Sequence, residues 1–398
     1  MPKHQSDIIN ELLTRSVTDV VPRELANTKL ASGKKLRIYF GIDPTGDKLH
    51  LGHAVPLRKL RAFQEAGHEV ILLIGSFTAM IGDPSGRDTL REPLTETQVK
   101  KNFATYKKQA ELVLDMKKVE VRFNNEWLGK LKPKQIIDLA SKFTAQQVLE
   151  RDMFRIRQQR NLPIAMHELL YPLFVGYDSV VLDVDAEIGG NDQLFNMLCG
   201  RTLQQAYGKR EKFVLTTKLL EGTDGRKMSK TSNNAIYLTD EPNEMYGKVM
   251  SIKDELIKPY FELCTDLPMG EIKEIEAGLK KGDNPKTHKS LLAREIVTIY
   301  HSAKAAQKTE AEFNNVHRDK TMPSDLPAVK LPAGKKTMPI TDLLVYIKLA
   351  TSKSEARRLV EQGGVKIGGK TTIDWKDNIQ LKTGLVIQVG PRRFAKLV

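Results

Sequence analysis

Two histidines surround a leucine and a glycine in the stretch DPTGDKLHLGH, which follows a short apolar strand pattern. Turn-forming residues precede His50, Gly52 and His53, and the pattern predicts that these three open a helix. The start of a helix presents unpaired N–H groups and a positive dipole end, and both suit a triphosphate. Gly52 would let a flat adenine ring lie against the backbone. The two imidazoles, together with the Thr45 hydroxyl, could donate hydrogen bonds to phosphate oxygens during displacement at phosphorus.

The His-X-Gly-His pattern is a weak signal when it is taken alone. Histidines at the start of a helix are commonly capping or surface residues, and a metal site is a further possibility. Neither the glutamate of a zincin motif nor a cysteine pair accompanies the two histidines. A second motif is needed to choose among these interpretations.

That second motif is a lysine-containing loop far downstream, in LLEGTDGRKMSKT. An Asp-Gly turn precedes the loop residues that could contact a nucleotide, which are Lys227, Met228, Ser229, Lys230 and Thr231. Two ammonium groups on a glycine-bounded loop can close over a pyrophosphate leaving group and neutralise it. A lone Lys-X-X-Lys pair is usually a solvated surface. The two motifs in this order, with strand patterns between them, indicate a nucleotide site.

The elements that must position these motifs are predicted to form a mostly parallel sheet with flanking helices. Apolar or β-branched runs indicate strands, with helical spacing between them, at LRIYFGI, HEVILLIGS, VEVRFNN, SVVLDVDAEIGG and NAIYLTD. This alternation predicts a Rossmann-like α/β domain over residues 1–240, with ligands at the carboxyl ends of its strands. The patterns that follow predict an all-α domain at 241–320, a proline-rich linker at 321–338 and a small α+β unit at 339–398.

The composition of the 398 residues argues against several classes of protein. Lysine and arginine outnumber aspartate and glutamate by 63 to 49, and the formal net charge of +14 favours a polyanionic partner such as nucleic acid. Only Cys199 and Cys264 are present, which argues against a disulfide framework. No apolar run reaches the ~18 residues of a membrane span, and the N-terminal MPKHQSDIINELLTRSVTDVV resembles an amphipathic helix more than a secretion signal. We expect a soluble, cytoplasmic protein.

The two motifs resemble the paired signatures of the class I aminoacyl-tRNA synthetases, a His-X-Gly-His turn and a Lys-Met-Ser-Lys loop. Within that class the chain is similar to the bacterial-type tyrosyl-tRNA synthetases over nearly its whole length. The resemblance implies that ATP, accompanied by Mg²⁺, converts L-tyrosine to tyrosyl adenylate, and that the tyrosyl group then passes to the 3′ end of tRNA(Tyr). It also implies a homodimer. The catalytic positions that it implies are Thr45, His50, His53, Lys227 and Lys230.

A site that accepts tyrosine and rejects phenylalanine has to hydrogen-bond the phenolic hydroxyl, because an apolar slot alone discriminates poorly. Tyr39 and Asp178 match the two family positions that hold this hydroxyl. The substrate amino group is cationic and needs oxygen acceptors. The further tyrosine-binding positions implied by the resemblance are Asp43, Thr78, Asp83, Tyr171 and Gln193.

ATP binding is implied for the histidine turn, including Gly52, for the lysine loop from Lys227 to Thr231, and for several residues outside them. Gly190 and Asp192 match positions at the ribose, and Arg87 and Arg91 match basic positions that reach the triphosphate. Gly41 is a further ATP-binding position that the resemblance implies.

The chain departs from the family pattern at two positions. Val175 stands where the family usually has a glutamine, and Leu194 replaces a tryptophan. Valine cannot accept a hydrogen bond from the substrate ammonium group. Asp83 and Tyr171 must therefore carry more of that recognition, or another residue must reach the amino group.

The C-terminal unit combines basic residues with glycine turns. A serine, Ser352 or Ser354, can cap its second helix. Basic groups on a helix and an adjoining turn suit the phosphates of structured RNA. The stretch SKSEARRLVEQGGVKIGGK resembles the S4 RNA-binding domain and gives the positive charge a destination, tRNA. The implied RNA-binding residues are Arg357, Arg358, Lys366 and Lys370.

Three alternative functions stay open at the level of sequence. The first is a tryptophanyl-tRNA synthetase, against which Tyr39, Asp178 and the S4-like unit argue. The second is another nucleotidyltransferase, for which the helical and S4-like regions would have no purpose. The third is a non-catalytic RNA-binding protein descended from a synthetase, which the intact motifs disfavour. Pyrophosphate exchange that depends on each amino acid would separate them.

Overall fold

The computed structural model describes residues 5–85, 94–229, 232–318, 326–332, 334, 336–390 and 393–398. The chain folds as two units, Met1–Glu310 and Ala311–Val398. The mixed α/β class predicted from the sequence is confirmed, with a mostly parallel sheet in the first unit. Within the described ranges, no helix combines the length and the apolar character needed to cross a membrane.

Runs rich in Ile, Val and Leu build a six-stranded sheet in the first unit. Its strands are β1 Val17–Val21, β2 Arg37–Ile42, β3 Glu69–Ile74, β4 Val119–Phe123, β5 Ala186–Gly190 and β6 Phe213–Thr217. They lie in the order β1-β6-β5-β2-β3-β4. All neighbours are parallel except β1, which pairs antiparallel with β6 at one edge. The chain runs outward from β2 in one direction through β3 and β4 and in the other through β5 and β6, so the crevice between β2 and β5 is a topological switch point.

Strand β3 is buried along its length from Val70 to Ile74, which indicates that the helices cover both faces of the sheet there. The helices of the first unit are α1 Gln5–Thr14, α2 Arg23–Ala31, α3 Leu51–Glu65, α4 Thr78–Ile81, α5 Glu96–Ala110, α6 Asn125–Leu128, α7 Pro133–Ala140, α8 Ala145–Leu149, α9 Asp152–Gln159, α10 Met166–Leu182, α11 Leu194–Ala206, α12 Pro242–Met250, α13 Ile257–Cys264, α14 Met269–Lys280 and α15 Pro285–Tyr300. A further helix, α16, spans Ala303–Arg318. Helices α10 and α11 approach closely at Gly176, where a Cβ would lie 3.0 Å from the backbone of Cys199 and Gly200.

Three of the predicted strands are confirmed as β2, β3 and β4. The stretch SVVLDVDAEIGG is a strand only in its second half, because its β-branched first half ends α10 and the chain turns at Asp183 with φ +46°. The strand predicted for NAIYLTD is wrong: only Tyr237 forms an isolated bridge there. The N-terminal helix stops at Thr14, and Val17–Val21 forms β1 instead.

The second unit is built mainly from short strands. Its elements are β7 Ala328–Val329, β8 Thr337–Pro339, α17 Ile340–Tyr346, α18 Lys353–Glu361, β9 Val365–Ile367, β10 Lys370–Thr372, β11 Asn378–Gln380, β12 Val386–Val389 and β13 Arg393–Leu397. The strands form one sheet in the order β10-β9-β12-β13-β7 and a two-stranded sheet of β11 and β8. Ser352 is the residue that caps α18, accepting a 3.2 Å hydrogen bond from the Glu355 N–H.

Two of these strands lie in the stretch that its proline content predicts to be a linker. Ala328–Val329 adds to the sheet edge beside β13, and Thr337–Pro339 pairs with β11. Proline is tolerated at sheet edges and strand ends because it needs to donate no ladder hydrogen bond there. This stretch therefore contains regular structure within the second unit.

Candidate active site

A cavity of about 430 Å³ opens at the carboxyl ends of β2 and β5, at the topological switch point. The nucleotide and tyrosine positions that the sequence singles out converge on its wall from separate elements. Those that line it are Tyr39, Gly41, Asp43, Thr45, His50, Gly52, His53, Thr78, Asp83, Tyr171, Asp178, Gly190, Asp192, Gln193, Lys227, Met228 and Ser229. The predicted positions Arg87, Arg91, Lys230 and Thr231 lie outside the described residues.

The histidine turn forms the start of α3, as predicted. His50 is the N-cap residue, and its ring is stacked on the ring of His53 with centroids 3.7 Å apart. The His50 N–H donates a 3.3 Å hydrogen bond to His53 Nδ1. A Cβ on Gly52 would lie 3.0 Å from two atoms of the His50 ring. A side chain at position 52 would therefore crowd the His50 ring, so the glycine suits the packing of this imidazole.

The segment NAIYLTD joins the histidine turn to the lysine loop. The Leu51 N–H donates to the Ile236 carbonyl at 2.9 Å, and the Leu238 N–H donates to the Leu49 carbonyl at 2.9 Å. An apolar run that resembled a sheet strand is instead paired with the start of α3. Sequence reasoning missed this role because only the tertiary fold brings the two segments together.

The described part of the lysine loop is held in place by the buried side chain of Asn234. The Asn234 Oδ1 accepts from the Ser229 N–H at 2.9 Å, and its Nδ2 donates to Asp224 Oδ1 at 2.7 Å and to the Lys227 carbonyl at 3.2 Å. Gly222 leaves room for this amide, because a Cβ there would lie 2.3 Å from Asn234 Cγ. Asn234 was not singled out by the sequence analysis.

Lys227 lies across the mouth of the cavity from the short turn that follows β5. Its Nζ is 2.6 Å from Asp192 Oδ2. The side chain of Lys227 is 52% exposed, so its ammonium group can exchange this partner for another anion at little desolvation cost. Met228, next along the loop, is buried at 4% exposure and anchors the backbone beside the lysine.

The inner end of the cavity is lined by two buried groups that could hold a hydroxyl, Tyr39 and Asp178. Asp178 accepts hydrogen bonds from Asn124 Nδ2 at 3.1 Å and from Trp127 Nε1 at 2.8 Å. Burial raises the pKa of Asp178 well above its usual range, and these two hydrogen bonds oppose that shift. Asn124 and Trp127 were not recognised from the sequence, where each resembles an ordinary surface or core residue.

A second polar group of side chains lies between this pair and the histidine turn. Asp43 accepts from the Thr78 hydroxyl at 2.7 Å and from the Tyr171 hydroxyl at 3.0 Å. Asp83 accepts from Gln193 Nε2 at 2.9 Å. Asp43, Asp83 and the Tyr171 hydroxyl thus place two carboxylates and a phenol on the cavity wall, and their oxygens are suitable acceptors for an ammonium group.

Val175 also lines the cavity, at the position where the family usually has glutamine. Other wall residues that the sequence analysis did not select are Ser85, Asn124, Glu187, Asn196, Met197, Thr217, Lys218 and Leu220. Their polar members lack the motif spacing that would have marked them in the sequence.

In the second unit, the four basic residues predicted to contact RNA are all exposed. Arg357 lies over the ring of Trp375, with 4.2 Å between its guanidinium carbon and the ring centroid, and its Nε donates to Glu361 at 2.8 Å. Arg358 lies beside it on α18, while Lys366 and Lys370 lie on β9 and β10. The surface combines an aromatic ring with cationic groups.

Comparison with known proteins gives matches over almost the whole chain. The family of class I tRNA synthetases (W and Y) matches residues 31–318, and the tyrosine–tRNA ligase SYY-like C-terminal domain matches residues 319–386. The tyrosine–tRNA ligase of Moorella thermoacetica is 45% identical over 392 residues, covering 97% of this chain and 94% of that protein. The corresponding ligase of Thermotoga maritima is 46% identical over 389 residues, covering 97% and 96%.

Two solved structures have a similar fold over more than three quarters of the chain. A C-terminally truncated mitochondrial tyrosyl-tRNA synthetase of Aspergillus nidulans has a TM-score of 0.66 and 24% identity, covering 79% of this chain and 94% of that chain. The tyrosyl-tRNA synthetase of Archaeoglobus fulgidus, complexed with L-tyrosine, has a TM-score of 0.63 and 21% identity, covering 77% and 100%.

Proposed function

The chain belongs to the tyrosine–tRNA ligases of the class I tRNA synthetases, and we propose that the cavity between β2 and β5 is the place where it activates tyrosine with ATP. The ligase joins tyrosine to tRNA, with ATP as a substrate. This assignment rests on one observation: a single cavity is lined by the histidine turn, by Lys227 and by the pair Tyr39 and Asp178.

In the proposed reaction, a carboxylate oxygen of tyrosine attacks the α-phosphorus of ATP in line. The bond to the bridging oxygen breaks, and pyrophosphate leaves with that electron pair. Thr45, His50 and His53 donate hydrogen bonds to the phosphate oxygens as their charge redistributes. Lys227, assisted by Lys230, neutralises the leaving pyrophosphate. No side chain forms a covalent intermediate, so the rate enhancement comes from positioning and electrostatics.

The second step transfers the activated acyl group to tRNA. A terminal ribose hydroxyl attacks the carbonyl carbon of tyrosyl adenylate, and the bond from that carbon to the phosphate oxygen breaks. AMP leaves with that electron pair, and its phosphate takes up the hydroxyl proton. The same cavity has to stay closed to water between the two steps, because the mixed anhydride hydrolyses readily.

Tyrosine is proposed to lie with its phenol at Tyr39 and Asp178 and its ammonium group near Asp83 and Tyr171. Asp43, Thr78 and Gln193 complete the polar wall around the amino acid. Asp43 supports this reading because it contacts both Thr78 and Tyr171. An acceptor supplied by Asp43 would offset the loss of the glutamine that Val175 replaces.

ATP is proposed to lie along the start of α3, with its ribose at Gly190 and Asp192. Gly41, Gly52, Met228, Ser229 and Thr231 would contact the nucleotide, and Arg87 and Arg91 would reach its triphosphate. The pair of Lys227 and Asp192 has to open when each contacts the nucleotide. We propose that Mg²⁺ enters with ATP, bound largely by phosphate and water oxygens. Among the described residues there is no group of three or more His, Cys, Asp or Glu that could hold a metal ion.

The tRNA is proposed to contact the exposed basic residues of the second unit, Arg357, Arg358, Lys366 and Lys370, and the helical region. For this purpose we assign residues 1–240 to catalysis, 241–320 to the tRNA side, 321–338 to the connection and 339–398 to RNA binding. We also propose a homodimer and a cytoplasmic location.

The test is exchange of labelled pyrophosphate into ATP, measured with each of the twenty amino acids in turn. Tyrosine alone should support rapid exchange, and tRNA(Tyr) should then accept labelled tyrosine. Exchange driven by tryptophan, or by no amino acid at all, would contradict the assignment. Exchange without charging of any tRNA would limit the function to adenylate formation.

A further inference from the structure

A wholly buried ion pair lies behind the tyrosine pocket, and the mechanism above does not use it. The side chain of Lys212, just before β6, is 0% exposed. Its Nζ pairs with Glu187 Oε2 and donates a 2.5 Å hydrogen bond to Ser179 Oγ. Ser179 Oγ lies in turn 2.9 Å from the Tyr39 hydroxyl. A chain of contacts therefore connects a buried cation to a side chain that faces the substrate.

The sheet register builds this arrangement. Tyr39 on β2 and Glu187 on β5 are paired directly, so their side chains project from the same face. Gly200 on α11 leaves the space that the ammonium group occupies, because a Cβ there would lie 2.5 Å from Lys212 Nζ and 2.4 Å from Ser179 Oγ. Residues from β5, α10 and α11 therefore surround the Lys212 ammonium group, namely Glu187, Ser179 and Gly200.

Stability is a poor explanation for such a pair. Removing two charges from water is costly, and replacing a buried ion pair by neutral groups of similar volume is often neutral or stabilising. The pair also adjoins the cavity, since Glu187 is one of its wall residues. Placement beside the substrate points to a role in recognition.

The donors and acceptors in the series Lys212, Ser179 and Tyr39 can be assigned from the chemistry of each group. An ammonium group only donates, so Ser179 Oγ accepts from Lys212 and keeps one hydrogen to donate. The Tyr39 oxygen, at 2.9 Å, is a nearer acceptor than Glu187 Oε2, at 3.4 Å, which already accepts from Lys212. Burial raises the pKa of Tyr39, which keeps its O–H protonated. With Ser179 donating to it, the Tyr39 hydroxyl keeps its own hydrogen to donate. Glu187, the other acceptor beside Tyr39, already accepts from Lys212, so this hydrogen is available to a hydroxyl in the pocket.

We propose that Lys212, held by Glu187, is a positioning residue that orients the Tyr39 hydroxyl through Ser179 and so selects a hydroxylated aromatic substrate. The substrate phenol accepts from Tyr39 and donates to Asp178, which completes a hydrogen-bond chain from a cation to a carboxylate. A phenylalanine ring can take neither part and leaves both buried groups unpaired. This inference rests on the proposed position of tyrosine in the cavity.

The experiment measures kcat/KM for tyrosine and for phenylalanine in pyrophosphate exchange, using the full-length protein. The variants are Lys212→Met and the double variant Lys212→Met with Glu187→Gln, which removes both charges and leaves no unpaired carboxylate. In both variants the ratio of kcat/KM for tyrosine to kcat/KM for phenylalanine should fall by about 10- to 100-fold, mainly because kcat/KM for tyrosine decreases. Lys209→Met, an exposed lysine just upstream, is the matched control and should leave the ratio unchanged.

If Lys212 had a purely structural role, its replacement would lower kcat/KM for tyrosine and for phenylalanine equally. A tyrosine-to-phenylalanine ratio within about twofold of the wild-type ratio, in folded variants, overturns the proposal. If circular dichroism shows that both lysine variants are unfolded, Ser179→Ala decides, because it removes the connection and keeps the ion pair. An unchanged ratio in that variant also overturns the proposal. Absence of tyrosine-dependent exchange in the wild type would instead reject the proposed function together with this inference.

Discussion

Lys227 and Asp192 form an ion pair across the mouth of the cavity, with 2.6 Å between Nζ and Oδ2. The lysine comes from the downstream loop and the aspartate from the turn after β5, so this contact already brings the loop to the proposed ribose site. Both partners are at least partly exposed, at 52% and 23%, and the pair is therefore readily exchanged for contacts with a nucleotide.

Replacing Lys227 by methionine should slow adenylate formation far more than it weakens tyrosine binding. The ammonium group is proposed to act on charge that develops in the transition state, and loss of one such donor costs about 10²- to 10³-fold in rate. Single-turnover formation of tyrosyl adenylate gives the rate, and equilibrium dialysis gives tyrosine affinity. Arg226→Met is the control, since Arg226 is adjacent and 74% exposed. Equal losses of rate and affinity would contradict the role assigned to Lys227.

Replacing Asp178 by asparagine should reduce kcat/KM for tyrosine by about 10- to 100-fold and change that for phenylalanine little. The carboxylate is proposed to accept the phenolic hydrogen, and a hydrogen bond to a charged group carries about 1.5–3 kcal/mol. Exchange assays with both amino acids check this. Asp183→Asn is the matched control, because Asp183 is the C-cap of the same helix and asparagine tolerates its left-handed backbone. Parallel loss for both substrates would point to a folding defect.

Replacing Asn234 by alanine should loosen the lysine loop without unfolding the protein. The side chain satisfies the Ser229 N–H and supports the Lys227 backbone, so its loss should reduce the exchange rate by about tenfold, which is about 1.4 kcal/mol. Limited proteolysis should show faster cleavage near residue 227. Asn233→Gly serves as the control, because Asn233 is exposed, is adjacent to Asn234 and has a positive φ that glycine readily adopts. If the cleavage near residue 227 and the exchange rate were both unchanged, Asn234 would not hold the lysine loop in its active position.

The buried ammonium group of Lys59 should make stability depend on pH. Burial lowers its pKa from 10.5 to about 7, while its Nζ donates to the Leu12 carbonyl at 2.9 Å. Between pH 7 and 10.5 the unfolded state binds more protons, so the free energy of unfolding rises with pH. Relative to Lys59→Met, the wild type should gain about 1.4 kcal/mol per pH unit in this window. Urea unfolding at pH 7, 8 and 9 measures the difference, and an equal pH slope in both proteins would contradict it.

The residues that sequence reasoning identified are those whose chemistry is carried by local spacing. His50, Gly52 and His53 lie within one turn of helix, and Lys227 lies in a short loop, so their pattern is visible along the chain. Tyr39 lies on the strand that leads into the same turn, but its role at the phenolic hydroxyl, like that of Asp178, was implied only by the family resemblance. Neither a single tyrosine in a strand nor a single aspartate has a distinctive spacing.

The residues that were missed depend on contacts between distant segments. Lys212 resembles a surface lysine in a basic loop, and only the register of β2 with β5 and the gap at Gly200 show that it is buried behind Tyr39. The segment containing Tyr237 has the pattern of a sheet strand, but an apolar pattern does not specify which segment it will pair with. Its partner is the start of α3.

A crystal structure with a non-hydrolysable tyrosyl adenylate analogue would determine whether one cavity holds both the amino acid and the nucleotide between the histidine turn and the lysine loop. The phenolic oxygen should lie within hydrogen-bond distance of Tyr39 and Asp178, the ribose at Asp192 and the phosphate beside His50 and His53. An analogue bound in another cavity, or bound here with its adenine at Tyr39 and Asp178, would show that the proposed site is wrong.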